Sequence, residues 1–320
     1  LAGVRKANRI HVSRSQILAL IAPVPIGGAP VVPNGAARVI AVANQKGGTG
    51  KTTTAVALAA ILGRDTPVLA VDCDPQGNMT QAFGFDPDEQ DPTLYNVLVE
   101  DSPIHEAFLS VGPPPHFLSL IPANLDLADT WRRVAGKIGL EGLLKAALLP
   151  LMPSFSYIVL DCPPSLDMIT MNALVAATEV IVPVDMSVFS VRGMVKLMGT
   201  MDEVRKVNPA LPAPHVLACR TDNTAISQAI EERIRESFAG NVFRTAIPRG
   251  KDVPAAHAAK RPLPYHAPDS KASQAYEALA EEVRHGYGSE GAEIRRADRW
   301  AVGKGAGASQ THGQPGRPLY

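Results

Sequence analysis

The 320-residue sequence carries no surplus of charge, because 31 Lys and Arg balance 31 Asp and Glu. Bulk electrostatics therefore select no class of partner, and any contact with nucleic acid must come from a local basic patch. Cysteine is scarce. Cys73, Cys162 and Cys219 stand far apart with no CxxC pair, which argues against zinc or disulfide frameworks and for reduced, buried thiols in a cytoplasmic protein. Long apolar runs are missing too. None approaches the about 20 residues of a membrane-spanning helix, although hydrophobic residues make up 46% of the chain, enough for one large core. No internal repeat is visible, so solenoids and propellers are not expected.

The two ends differ from the middle. Residues 1–37 place Arg5, Lys6, Arg9 and Arg14 before the apolar run ILALIAPVPIGGAPVVP. That order is reminiscent of an export signal, but Pro23, Pro25, Pro30 and Gly27-Gly28 break any helix there. The expectation is a disordered or wrongly assigned leader. From about residue 285 the chain is rich in Gly, Ser and Arg and reads as a disordered tail, 285–320.

Between the tails, short apolar runs alternate with helical stretches. RVIAVAN (38–44), PVLAVD (67–72), HFLSLIP (116–122), SYIVLD (156–161), EVIVPV (179–184), HVLACR (215–220) and NVFRTAIP (241–248) are nearly continuous hydrophobic segments. Strands buried on both faces read this way. Helices are expected over 51–62, 123–148, 190–207, 225–238 and 270–284. The pattern predicts an α/β fold, a mostly parallel twisted sheet with helices on both faces, over 38–284. In such sheets ligands bind beyond the carboxyl ends of the strands, and the polar motifs fall there.

The first motif is NQKGGTGKTTT (44–54), between the strand RVIAVAN and an Ala-rich helix. It fills the G-x-x-x-x-G-K-[ST] context in modified form, since the usual first glycine is replaced at Asn44 or Gln45. The mechanics of a phosphate cradle survive. Gly47, Gly48 and Gly50 let backbone N–H groups approach phosphates, and the helix start adds partial positive charge. Lys51 is suited to the β and γ oxygens and the Thr52 hydroxyl to Mg²⁺. The ligand is therefore ATP or GTP.

Two carboxylate motifs accompany it. VDCDPQGN (71–78) ends a strand in Asp72 and Asp74, either of which is placed to orient an attacking water or hold the metal's water shell. YIVLDCPP (157–164) ends a strand in Asp161, the Walker-B arrangement that binds Mg²⁺ directly or through water.

KGGTGKTT, VDCDPQGN and LDCPPSL, in this order, closely resemble the ParA/Soj partition ATPases, a branch of the deviant Walker-A P-loop group that also includes MinD. IPANLDLAD (121–129), MNALVAATEVIVPVDMSVFSVRGM (171–194), IPRGKDVPAAHAAKRPL (247–263) and SKASQAYEALAEEV (270–283) extend the similarity to about 38–284. The resemblance implies ATP with Mg²⁺ and slow, partner-stimulated hydrolysis. It implies a homodimer that sandwiches two nucleotides, in which Lys46 crosses to the partner's phosphates. Lys46, Lys51 and Asp74 then form the catalytic set, with Asp74 positioning water. Lys46, Gly47, Gly48, Thr49, Gly50, Lys51, Thr52, Thr53 and Pro248 bind the nucleotide, and Thr52 and Asp161 bind the metal.

The same resemblance implies DNA segregation, chromosomal or plasmid. The ATP-bound dimer would bind double-stranded DNA non-specifically on the nucleoid and be released by a ParB-like centromere-binding partner. Arg220, Arg249, Lys251, Lys260 and Arg261 are the candidate DNA contacts. One departure matters here: Asn223 stands where many relatives carry an arginine tied to DNA binding. A MinD-like membrane-cycling or cargo-positioning ATPase is the alternative, but the helix over 270–284 ends acidic and no stable membrane association is expected. An amidoligase or iron–sulfur reductase sharing the nucleotide site is a third class; the reductase would need a cysteine pair at a dimer face.

Overall fold

The computed structural model describes residues 37–112, 117–186, 188–222, 224–238 and 240–285, and the side chains of 188–195 are left aside. Residues 1–36 of the leader, residues 286–320 of the tail and Asn223 lie outside the described residues, whereas Ala37 is buried beside β1 and His285 ends a helix.

Eight strands form one sheet: β1 (Arg38–Val42), β2 (Val68–Asp72), β3 (Leu109–Val111), β4 (Leu118–Ile121), β5 (Tyr157–Asp161), β6 (Glu179–Asp185), β7 (His215–Thr221) and β8 (Val242–Pro248). Their order is β3-β4-β2-β5-β1-β6-β7-β8. All neighbours are parallel except β3 and β4, which form an antiparallel edge pair. The order reverses around β1, with β5 on one side and β6 on the other. Loops leaving these strands diverge at that switch point and open a crevice.

Alternate residues of β1 point to opposite layers, as the two-residue strand period requires. Ile40 and Val42 face the layer that holds the helix Lys51–Leu62. Val39 and Ala41 face the layer that holds Leu174, Leu197, Met201 and Val204. The helix Lys51–Leu62 is buried at every position from Thr54 to Leu62, and its run of alanines lets the backbone approach the sheet closely. Over it lies the helix Lys271–His285, burying Tyr276, Leu279, Ala280 and Val283. The Tyr276 and Thr54 hydroxyls meet at 3.3 Å.

Arg38 closes the opposite end of the sheet. Its guanidinium donates to Glu179 at 2.7 Å and to the Val283 carbonyl at 2.6 Å, tying β1, β6 and the helix Lys271–His285 together. Edge strand β8 is covered where Glu282 accepts the Arg244 and Thr245 N–H groups at 3.0 and 2.7 Å, which blunts a surface prone to pairing with other chains.

All seven anticipated strands are present, and β3 is an addition. The single helix expected over 123–148 is broken into Leu125–Asp129, Thr130–Val134, Leu140–Gly142 and Leu143–Leu148, of which the first and third are 3-10 turns. The break follows from Gly136, Gly139 and Gly142, with Gly139 in the left-handed region at φ 74°. The helices Asn78–Ala82, Leu94–Val99, Met168–Ala176, Asp252–Ala258 and Leu263–His266 were not anticipated.

Candidate functional site

The parallel register delivers the three motifs to one edge. Val42 at the end of β1 pairs with Asp161 of β5, and Asp161 pairs with Asp72 of β2. The chain leaves β1 through Asn44, whose side chain donates to the Pro183 carbonyl at 2.7 Å and accepts the Lys46 N–H at 3.1 Å. Gly47 and Gly48 are exposed, and Thr49 and Lys51 are buried. Gly48 and Gly50 hold φ of 74° and 98°, conformations that L side chains adopt only under strain. At Gly50 the chain enters the helix Lys51–Leu62 with no side-chain cap and no acidic residue in the first turn. Its first N–H groups are therefore available to an anion.

Lys51 Nζ donates to the Lys46 carbonyl at 3.2 Å, curling over the loop. Burial pulls its pKa below the ordinary lysine value, while Asp161, Cys162 and Asp74 pull the other way. Thr52 and Thr53 sit partly exposed behind it.

Asp161 is wholly buried and neither carboxylate oxygen has a hydrogen-bond partner. Burial and the neighbouring Asp72 push its pKa well up; the Thr52 hydroxyl faces it without reaching hydrogen-bond geometry and opposes the shift, as does Lys51. An orphaned carboxylate beside a threonine hydroxyl is an incomplete ligand set. No group of three or more His, Cys, Asp or Glu able to hold a metal exists among the described residues. Mg²⁺ suits such a place, because it binds through one or two protein oxygens and completes its shell with phosphate and water.

Asp72 and Asp74 have separate duties. Asp72 is saturated: its Oδ2 accepts the Thr80 N–H and hydroxyl, each at 2.8 Å, and its Oδ1 accepts the Asp74 N–H at 3.1 Å. The Thr80 hydroxyl in turn accepts the Ala123 N–H at 3.1 Å. Burial drives the Asp72 pKa up to about 7, with the Thr80 and Asp74 donors opposing. Asp74, 6% exposed, has one oxygen on the Gln76 N–H at 3.0 Å. Asp72 fixes the loop and Asp74 is the carboxylate with capacity left for a ligand or water.

Lys46 bends back onto its own chain. Its Nζ lies 2.8 Å from both oxygens of Asp185, at the end of β6. Asp185 was missed in the sequence, although it ends an anticipated strand on the side where ligands gather. Thr80, the anchor of Asp72, carries no comparable signal.

Of the basic residues, Arg220, Arg249, Lys251, Lys260 and Arg261 are all exposed. Arg249 follows β8, and its N–H donates to the Thr221 carbonyl at 3.0 Å. Lys251 precedes the helix Asp252–Ala258 and Lys260 and Arg261 follow it, so they mark its two ends. Arg261 shares a cleft with Thr53 and His257. Arg220 stands apart: its guanidinium donates to the Gly48 carbonyl at 3.2 Å. Pro248 closes β8 opposite Thr221.

All three cysteines are buried. Burial raises each thiol, Cys219 to about 12. None is poised as a nucleophile or exposed for a shared cluster.

A family model described as an AAA domain matches residues 37–213. The chromosome partitioning protein ParA of Myxococcus xanthus is 35% identical over 249 residues, covering 77% of this chain and 87% of that protein. The sporulation initiation inhibitor protein Soj of Bacillus subtilis is 34% identical over 249 residues, covering 77% and 98%. Among solved structures, one described as cobyrinic acid a,c-diamide synthase from Mycobacterium smegmatis, with bound ADP and magnesium, superposes with a TM-score of 0.67 at 33% identity, covering 78% of this chain and 94% of that one.

Proposed function

The chain belongs to the ParA/Soj family of partition ATPases, and from that premise we propose that it is an ATP-driven DNA-segregation switch. It is an ATPase that uses ATP and Mg²⁺. The observation that carries the reading is Asp161, buried with both oxygens unpartnered in register with the phosphate loop. Thr52 and Asp161 would hold the ion, whose bound charge offsets that of the phosphate oxygens. Lys51 and the N–H groups of Gly47–Thr53 cradle the phosphates. Asp74 positions water, and with no stronger base beside it turnover is slow, as suits a timer. Pro248 belongs to the nucleotide set at the end of β8.

In the proposed cycle, ATP closes a homodimer and Lys46 exchanges Asp185 for the partner's phosphates. Two triphosphates face each other there, and a cation from each subunit offsets their repulsion. The closed dimer binds duplex DNA through phosphates without sequence preference. Arg249, Lys251, Lys260 and Arg261 are the proposed contacts. A ParB-like centromere-binding protein stimulates hydrolysis and releases the dimer onto a nucleoid cycle in the cytoplasm.

A membrane-cycling role is not favoured. No helix among the described residues is long and apolar enough to cross a membrane. The apolar face of the helix Lys271–His285 is packed in the core, leaving it none to lay on a bilayer.

The test is DNA binding by wild type and Lys46→Ala with ATP, ADP and no nucleotide at two salt concentrations. Binding should need ATP, weaken steeply with salt, and vanish in the variant while nucleotide binding by its monomer survives. Equal binding in every nucleotide state rules the switch out.

A further inference from the structure

We propose that Arg220 is a positioning residue of the phosphate loop, holding the shape in which Gly48–Gly50 receive a nucleoside triphosphate, and is not a DNA contact. The proposal rests on the nucleotide-site reading above and assigns that site a residue from the far side of β6.

Three independent features of Arg220 agree. First, it is the bulged residue of its strand. Cys219 pairs with Ile247 and Thr221 with Pro248, so Arg220 has no opposite number on β8. Bulges beside sites re-aim a side chain that regular pleating would send elsewhere. Second, its φ is 57°, in the left-handed region that a long side chain enters at a cost. A backbone held there against its preference marks a constraint worth keeping. Third, the redirected guanidinium donates to the Gly48 carbonyl at 3.2 Å, across 172 residues of sequence. No ion pair engages it among the described residues.

The consequence follows from peptide geometry. In a trans peptide the C=O of Gly48 and the N–H of Thr49 point in opposite directions. Holding that carbonyl on Arg220 turns the Thr49 N–H away from Arg220. One dipole of the loop is thus oriented before any anion arrives, and preorganised N–H groups are what a phosphate cradle needs. The residue before Arg220 supports the same loop: a Cβ built on Gly50 would lie 3.8 Å from Cys219 Sγ. The end of β7 is the back wall of the loop. Thr221, the next residue, accepts the Arg249 N–H at 3.0 Å, so the wall continues into the turn that carries a proposed DNA contact.

The experiment compares Arg220→Ala, Arg220→Lys, Arg220→Gly and Arg249→Ala in the full chain. Affinities for ADP and a non-hydrolysable ATP analogue are measured by fluorescence, with melting temperatures alongside. DNA affinity is then titrated against salt at saturating analogue. Arg220→Ala and Arg220→Gly should weaken analogue binding about tenfold, as for loss of a charge-assisted hydrogen bond, and Arg220→Lys should recover part of it. Arg220→Gly removes the backbone strain, so its fold is retained and its loss reports the guanidinium alone. Arg249→Ala should leave nucleotide affinity alone and reduce the salt slope by about one phosphate contact. Wild-type nucleotide affinity in Arg220→Gly overturns the proposal, and so does a salt slope in Arg220→Gly lowered as in Arg249→Ala. A wild-type chain that binds neither nucleotide overturns the underlying site reading instead.

Discussion

Lys46 is paired with Asp185 of the same chain, its Nζ 2.8 Å from each carboxylate oxygen and both side chains mostly shielded from water. A lysine at the mouth of a phosphate loop has two possible partners, this carboxylate and an incoming anion. In the proposed dimer each Lys46 must leave Asp185 before it reaches across. The internal pair therefore opposes closure, by about 1 kcal/mol per subunit for a partly exposed ion pair. Asp185→Asn removes the competing charge and keeps the shape. Its ATP-dependent dimer is expected to form at up to about thirtyfold lower protein concentration, two pairs at about 1 kcal/mol each, measured by sedimentation of a hydrolysis-blocked background. Unchanged association would mean that the internal pair does not oppose closure, and weaker association that Asp185 aids it.

Asp72 and Asp74 share a motif but not a hydrogen-bond environment, and substitution should separate them. Asp72 accepts three hydrogen bonds from Thr80 and Asp74. Asp72→Ala leaves buried donors unsatisfied and should cost about 3–5 kcal/mol in chemical denaturation. Asp74→Ala should change stability by less than about 1 kcal/mol, retain ATP binding and abolish turnover. If Asp72→Ala folds normally and only hydrolysis fails, the division of labour is wrong.

The seven strands, the glycine turn at 47–50 and the strand-end place of Asp161 were legible because each rests on local chemistry, although edge strand β8 is buried only at Phe243 and Ile247 rather than on both faces. An apolar run ending in aspartate needs no tertiary information to be read. The helix over 123–148 misled because its apolar spacing hid Gly136, Gly139 and Gly142, and backbone freedom outweighed periodicity there. β3 was invisible because three residues, Leu109–Val111, carry too little pattern for an edge strand. The Asp185 and Arg220 contacts were hidden for another reason. Both join the loop to strands at least 139 residues away, and only the β1-β6-β7 order makes them neighbours.

Gly77 should prove intolerant of any side chain. It lies three residues after Asp74, at φ 64°, and its N–H donates to the Asp74 carbonyl at 2.9 Å. A Cβ there would fall 2.5 and 2.8 Å from ring carbons of Pro87 and 3.2 Å from the Ala123 carbonyl oxygen. Gly77→Ala combines a left-handed backbone penalty with overpacking against a rigid ring, about 2–4 kcal/mol together. Thermal or urea denaturation measures it. Hydrolysis should fall alongside, since the same turn holds Asp74. A variant as stable as wild type would show that Pro87 moves aside freely.

His215 sets an acid limit on stability at the end of the sheet remote from the nucleotide. It opens β7, its ring 5.9 Å from that of Phe243. Burial lowers its pKa to about 4, with Glu179 opposing and Arg38 assisting. The folded chain thus holds His215 neutral, while the unfolded chain protonates it near its ordinary value of about 6.5. The unfolded state binds more protons between those values, so this contribution is complete above pH about 6.5 and is lost as pH falls towards about 4. Partial exposure trims it to about 2 kcal/mol. His215→Gln cannot take up that proton. Urea denaturation of both proteins from pH 7.5 to 4.5 should show wild type losing stability faster than the variant below pH 6.5, with parallel behaviour above it. Parallel curves throughout would show that His215 accepts its proton in the folded state at little cost.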